Sequence, residues 1–379
     1  MKKLLLPILL ILCLTVISCA TKKPLSPDIY IDSFSEESNI SFFNDIFSDI
    51  EVITLDLGGR LLGDPSLVDL KEIDGHYLIA DRDNETVFLL NQDGSLITFL
   101  SKMGRGPGEY SHIQSAEYAN HHIYLLVDGK SILEYSEKGE FLNQHTLSWS
   151  ATDFIAYDDN DFICFISRLE GEGGSAVNRI ALLDKEFQMK SSFFPMSYQL
   201  FTYGNHLQRV SGEEEFLCIQ QLPQIDKCNK ETIVKTFHLN LHGKEYPETL
   251  LDQNDFEDIL NILIDTPEIY YISDAFENSK YLLLSVSNLV HGDEARWGWW
   301  LIDKTRNSSR IEYFDVDSSE FTTLGLPVLL TEEGKVIFLC DSDNLNDLLN
   351  QKSFSSIRNK IAQPLSLGNQ IMLMCTISQ

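Results

Sequence analysis

The sequence predicts an all-β chain: a single six-bladed β-propeller with two short helical insertions, closed by an N-terminal strand. Three observations predict it. A segment made of a polar residue, an apolar β-rich run and a second polar turn recurs six times. The instances are His76–Asp81, His122–Asp128, Asp161–Ile166, Glu215–Ile219, Lys280–Val286 and Lys335–Cys340. Their starts lie 46, 39, 54, 65 and 55 residues apart, which suits four-stranded blades of about 40–50 residues carrying insertions. Each of the first five is followed by a second β-rich run: Thr86–Asn91, Ser131–Tyr135, Arg179–Leu183, Ile233–Leu241 and Trp299–Ile302. The Asp, Asn and Gly residues behind these runs, such as Gly94 and Gly139, are those that hairpin turns require.

The chain begins with a different kind of segment. Met1-Lys2-Lys3 is basic, Leu4–Val16 is apolar apart from Thr15, and Ile17-Ser18-Cys19 follows. The stretch is too short for a membrane span and reads as a signal peptide over 1–18. Its ending, Val16-Ile17-Ser18-Cys19, is similar to a bacterial lipobox, which makes Cys19 the expected lipid attachment residue and the link to the membrane. Stable anchoring takes more than one acyl chain, and a triacylated cysteine supplies them. No Asp adjoins Cys19, so the expectation is an outer-membrane lipoprotein on the periplasmic face. Residues 19–44, rich in Lys, Pro, Ser and Glu, read as a lipid-anchored tether, and 45–379 as the propeller.

Within the propeller, Ile50–Leu57 is a spare strand. The last repeat supplies three strands, Val328–Leu330, Lys335–Cys340 and Ile371–Ile377, so the spare one is expected to complete the sixth blade. Closure of this kind removes exposed sheet edges. Asp255–Ile264 and Asn344–Ile361 have helical spacing and are the two expected insertions.

Composition narrows the function. Hydrophobic residues make up 43% of the 379, enough for a packed core. With 57 Asp and Glu against 29 Lys and Arg, the net charge is −28. Nucleic acid is therefore excluded as the main ligand, since phosphate binding needs a basic surface. Of seven cysteines, Cys13 leaves with the signal and Cys19 is lipidated, and no C-x-x-C pair exists. Cys218 and Cys228 are placed to bridge across one hairpin.

No complete catalytic motif is found. Gly104-Arg105-Gly106-Pro107-Gly108 lacks the Gly-Lys-Ser/Thr ending of a phosphate loop and reads as a crossing between blades, from which Arg105 and Glu109 can reach a rim or channel. Asp81–Glu85 lacks the glycine and glutamate of a calcium loop. His121 and His122 are adjacent on a strand and face opposite ways, so they cannot chelate one metal together. No metal or other cofactor is expected. Asp69 and Glu117 fall in expected first strands, whose residues line a propeller channel. Trp297 and Trp299 share one strand face beside Arg296, either as packing between blades or as a stacking platform for sugar or peptide.

The run Asp81–Leu90, followed by Gly94, resembles the NHL propeller repeat, and Ile132, Tyr135 and Gly139 keep the offsets of Val87, Leu90 and Gly94. Gly104–Glu109 resembles a string found in six-bladed NHL/TolB-like β-propeller lipoproteins of Gram-negative, Bacteroides-type bacteria. The resemblance is strongest over residues 50–145. It implies the propeller fold and a cell-envelope location, and it implies no activity. The expected function is a lipid-anchored envelope propeller that binds or scaffolds an envelope protein, a saccharide or a peptide. The alternative is a channel-centred propeller hydrolase or lactonase, and a sensor for an envelope signalling system is a third reading.

Overall fold

In the computed structural model the described residues are 29–32, 46–64, 67–158, 161–168, 178–195, 205–211, 214–219, 224–241, 268–290, 296–305, 326–340, 358, 361 and 370–378. They form twenty-four strands. β1 (Ile29–Asp32) and β2 (Phe47–Thr54) precede the blades. The first blade is β3 (Val68–Ile73), β4 (His76–Asp81), β5 (Thr86–Asn91) and β6 (Leu96–Leu100). The second is β7 (Ile113–Ala119), β8 (His122–Val127), β9 (Ser131–Ser136) and β10 (Phe141–Thr146). The third is β11 (Ser150–Ala156), β12 (Asp161–Arg168), β13 (Asn178–Asp184) and β14 (Met189–Pro195). The fourth is β15 (Leu207–Arg209), β16 (Phe216–Ile219), β17 (Gln224–Cys228) and β18 (Ile233–Asn240). The fifth has β19 (Glu268–Glu277), β20 (Tyr281–Val290) and β21 (Arg296–Asp303) among the described residues. The last is β22 (Pro327–Leu330), β23 (Lys335–Cys340) and β24 (Ile371–Ile377), with β2 pairing antiparallel to β24 from Phe47 opposite Ile377 to Thr54 opposite Ile371.

The six recurring runs are the second strands of the blades, β4, β8, β12, β16, β20 and β23. A blade's middle strands are covered on both faces by neighbouring blades, so they read as continuous apolar runs rather than alternating ones. Tyr77–Ala80 and Val87–Leu90 are buried throughout. The outermost β10 is mostly exposed and correspondingly polar. Six apolar clusters fill the six gaps between adjacent blades. The first strands touch in a closed cycle, β3 to β7, β11, β15, β19, β22 and back to β3. The molecule is an all-β ring of six sheets.

Several expectations change. The tether expected over 19–44 contains β1, which pairs parallel to β18, Ile29 opposite Phe237. The cause is the apolar alternation of Ile29 and Ile31, with Ile31 buried against the fourth and fifth blades. The sequence pattern sets Ile233–Leu241 directly behind the second strand of its blade. It is instead the fourth strand, because Gln224–Cys228 intervenes as β17. That strand hides Asp226 and Lys227 in the interior and so reads as polar sequence. Cys218 and Cys228 are free thiols. The register sets Cys218 opposite Asp226 and Cys228 opposite Phe216, a diagonal offset too wide for a disulfide. The expected helical insertions at 255–264 and 344–361 lie outside the described residues except for Arg358 and Ile361.

Candidate functional site: the central channel

The first strands bring their polar residues to the ring axis in two groups. The first group lies toward the end where those strands begin. Asp69 on β3 accepts a hydrogen bond from Asn205 Nδ2 at 2.9 Å, and the same amide donates to Asp274 Oδ1 on β19 at 3.0 Å. Asn205 stands just ahead of β15, in the fourth blade. In a six-membered ring that blade is opposite the first, so this amide spans the axis. Arg82, on the turn after β4, donates to Asp69 at 3.3 Å. Asp153 on β11 extends the same level: it accepts from Ser115 Oγ at 2.7 Å and from the backbone N–H groups of His206 and Leu207 at 3.0 and 2.8 Å.

Burial governs the protonation of this group. Loss of solvent pushes Asp69 up, against the pull of Arg82 and Asn205. Asp274 is pushed up to about 7, by burial first and by the charge of Asp69 second. His206, buried and stacked on Phe165 at 4.2 Å, is pushed down to about 4 by loss of solvent.

The second group lies toward the β3–β4 hairpin. Glu117 on β7 is fully buried. It accepts from the backbone N–H of Tyr118 at 3.1 Å and of Ala156 at 3.2 Å, and from Lys71 Nζ at 3.4 Å. Lys71 also donates to Ala116 O at 2.8 Å. Arg209 on β15 approaches Glu117 at 3.9 Å, and its side chain is 39% exposed. Among the described residues its guanidinium makes no hydrogen bond. Lys71 and Arg209 open on a cavity of about 540 Å³ lined from β3, β11, β15, β19 and β22, and Glu117 lies buried behind them. Its rim carries Glu72, Asp74, Glu214, Glu332 and Glu333, all exposed. Partial loss of solvent pushes Glu72 up, and Glu333 raises it further.

The structure therefore places Asp69 and Glu117 on inner strands at the axis, but in different groups. It keeps Arg105 and Glu109 away from both. Glu109 accepts from Gly106 N at 2.8 Å and caps the crossing between the first two blades. Arg105 is exposed. Gly108 explains the local sequence: its φ is +72°, and a Cβ there would meet Phe141 at 2.5 Å. Trp299 is no platform. It is 1% exposed in the gap between the fifth and sixth blades, with ring centroids of Phe47 and Phe338 at 6.0 and 5.9 Å. Trp297 lies on β21, and its side chain is outside the described residues.

Lys71, Arg82, Asp153, Asn205, Arg209 and Asp274 were not singled out by sequence. The available signal was position: five of them precede the second strand of their blade, in or beside its first strand, where any polar residue is a channel candidate. Burial pushes the thiols of Cys164, Cys218, Cys228 and Cys375 up, which keeps them protonated and poorly nucleophilic. Among the described residues no three His, Cys, Asp or Glu side chains are placed to hold a metal ion.

Solved structures share the shape. A Bacteroides fragilis protein named as exported superposes with a TM-score of 0.69 and 17% sequence identity, over 93% of this chain and 99% of that one. A member of the duf4221 family from Bacteroides vulgatus superposes with a TM-score of 0.54 and 10% identity, over 89% of this chain and 99% of its own. No curated protein matches the sequence. The family model DUF5128, described as 6-bladed beta-propeller, matches residues 21–311, and the chain belongs to that family.

Proposed function

We propose that this propeller is an exported, lipid-anchored envelope protein that works as a binding or scaffold module. The observation that carries this reading is the state of the channel carboxylates. Glu117 is held by two backbone N–H groups and Lys71, and Asp153 by three backbone N–H groups and Ser115. Such groups hold blades together; they are not aimed at a reacting atom. The NHL/TolB-like resemblance, the lipobox ending at Cys19 and the exported Bacteroides fragilis protein support placement in the envelope, as an outer-membrane lipoprotein facing the periplasm. In this reading the pairing of β2 with β24 closes the ring.

One observation favours the hydrolase or lactonase alternative. Asp274, pushed up to about 7 beside Asp69, has the proton affinity of a general acid or base near neutral pH. A panel of lactones and glycosides assayed with wild type, Asp69→Asn and Asp274→Asn decides. The binding reading expects no turnover. Turnover lost in either variant overturns it. For the anchor, Cys19→Ser should leave a precursor without lipid mass. A mature wild-type chain starting elsewhere than Cys19 would contradict the attachment.

A further inference from the structure

We infer that the cavity at the hairpin end of the channel binds the free terminal carboxylate of a basic peptide, with the Arg209 guanidinium as its anchor. The inference rests on reading the protein as a binding module and names its ligand class. Lys71 spends two of its donors on Ala116 and Glu117. Arg209, by contrast, touches Glu117 only at 3.9 Å, and none of its five N–H groups is engaged in a hydrogen bond among the described residues. A guanidinium facing a cavity matches a carboxylate or a phosphate in two parallel bonds.

The surroundings choose between the two anions. Lys71 and Arg209 in the lining, with Glu117 buried behind them, sum to one positive charge, enough for a monoanion. Five exposed carboxylates form the rim, Glu72, Asp74, Glu214, Glu332 and Glu333. They repel a dianionic phosphate and attract Lys or Arg side chains on the ligand's body. The chain's net charge of −28 acts in the same direction over longer range, drawing a cationic partner toward the rim. A cavity of about 540 Å³ lies within the range of small-ligand sites, about 300–1,000 Å³, and suits the end of a peptide. A carboxylate set in a cationic chain meets both charges in the order the funnel presents them.

The test is fluorescence anisotropy with a short, labelled Lys/Arg-rich peptide carrying a free C-terminal carboxylate, alongside its C-terminal amide. Wild type should bind the acid at least about tenfold more tightly than the amide, a difference of about 1.4 kcal/mol. Arg209→Gln should fold, shown by an unchanged melting profile, and should lose that preference. If Arg209→Gln fails to fold, the double variant Glu332→Lys, Glu333→Lys serves in its place. Both residues are exposed, and the change should weaken the basic peptide at least about tenfold while sparing the acid-over-amide preference. Equal binding of acid and amide, no effect of these substitutions, or competition by inorganic phosphate as strong as by the peptide would overturn the inference. The envelope binding role would survive that outcome, since its own test is turnover on the substrate panel.

Discussion

The two ends of the channel use the same residue types for different work. At the end where the first strands begin, Asp69, Asn205, Asp274 and Arg82 bond to one another across the ring. Toward the hairpin end, Glu117 is satisfied by Tyr118, Ala156 and Lys71, and Arg209 faces a cavity with its hydrogen bonds unspent. The lesson is that a buried charge in a propeller channel does not mark a site. What separates brace from site is whether the hydrogen-bonding capacity is consumed inside the ring. Carboxylates met by backbone N–H groups are consumed; a guanidinium with a distant partner is not.

The largest effect should come from the consumed charge. Glu117→Ala leaves Lys71 and two buried N–H groups without their acceptor, and should cost about 3–5 kcal/mol by urea unfolding. Glu277→Ala should match it, since that buried carboxylate holds Lys304 and Lys227 between the fourth and fifth blades. A cost below about 1 kcal/mol for either would mean that these ion pairs are not braces.

A middle effect concerns the cross-channel group and pH. Asp274 binds its proton more tightly in the folded chain, at about 7, than at the ordinary carboxyl value of 3.8. Its contribution to stability is fully present below about 3.8 and is lost as pH rises through about 7. His206 runs the other way. Its value falls from 6.5 to about 4, so its contribution is present above 6.5 and lost as pH falls through about 4. The two slopes oppose one another between pH 4 and 7. Asp274→Asn removes the first and leaves the second, so the variant's stability should rise with pH over that window more steeply than wild type's. Parallel pH profiles would show that the Asp274 carboxyl does not titrate there.

The smallest effect should be at the unspent group. Arg209→Gln should change unfolding free energy by no more than about 0.5 kcal/mol, as for a surface residue outside any brace. A loss approaching that of Glu117→Ala would erase the distinction between the two ends.

Legibility followed burial. In the first two blades each second and third strand is a clean apolar run between turn residues, and β4, β5, β8 and β9 stand where the runs lie. Blade four was harder: β17 carries Asp226 and Lys227 inside the protein, paired with Thr236, Glu215 and Glu277, and no periodicity marks a polar strand as buried. β1 reads as tether in the sequence because four residues are too few to signal pairing. In the channel, Asp69 and Glu117 were found by their place ahead of a repeat. Their partners were missed because Asn205 and Asp274 meet Asp69 only through the curvature of the whole ring. From sequence Trp299 reads as packing between blades or as a platform, and its neighbours Phe47 on β2 and Phe338 on β23 decide for packing.

One end of the channel is spanned by a bond between opposite blades, Asn205 to Asp69, and a double-mutant cycle tests that brace most directly. Urea unfolding of Asp69→Ala, Asn205→Ala and the double variant should give a coupling free energy between about 0.5 and 3 kcal/mol, the range for residues in direct contact. Additivity within about 0.3 kcal/mol would contradict the brace.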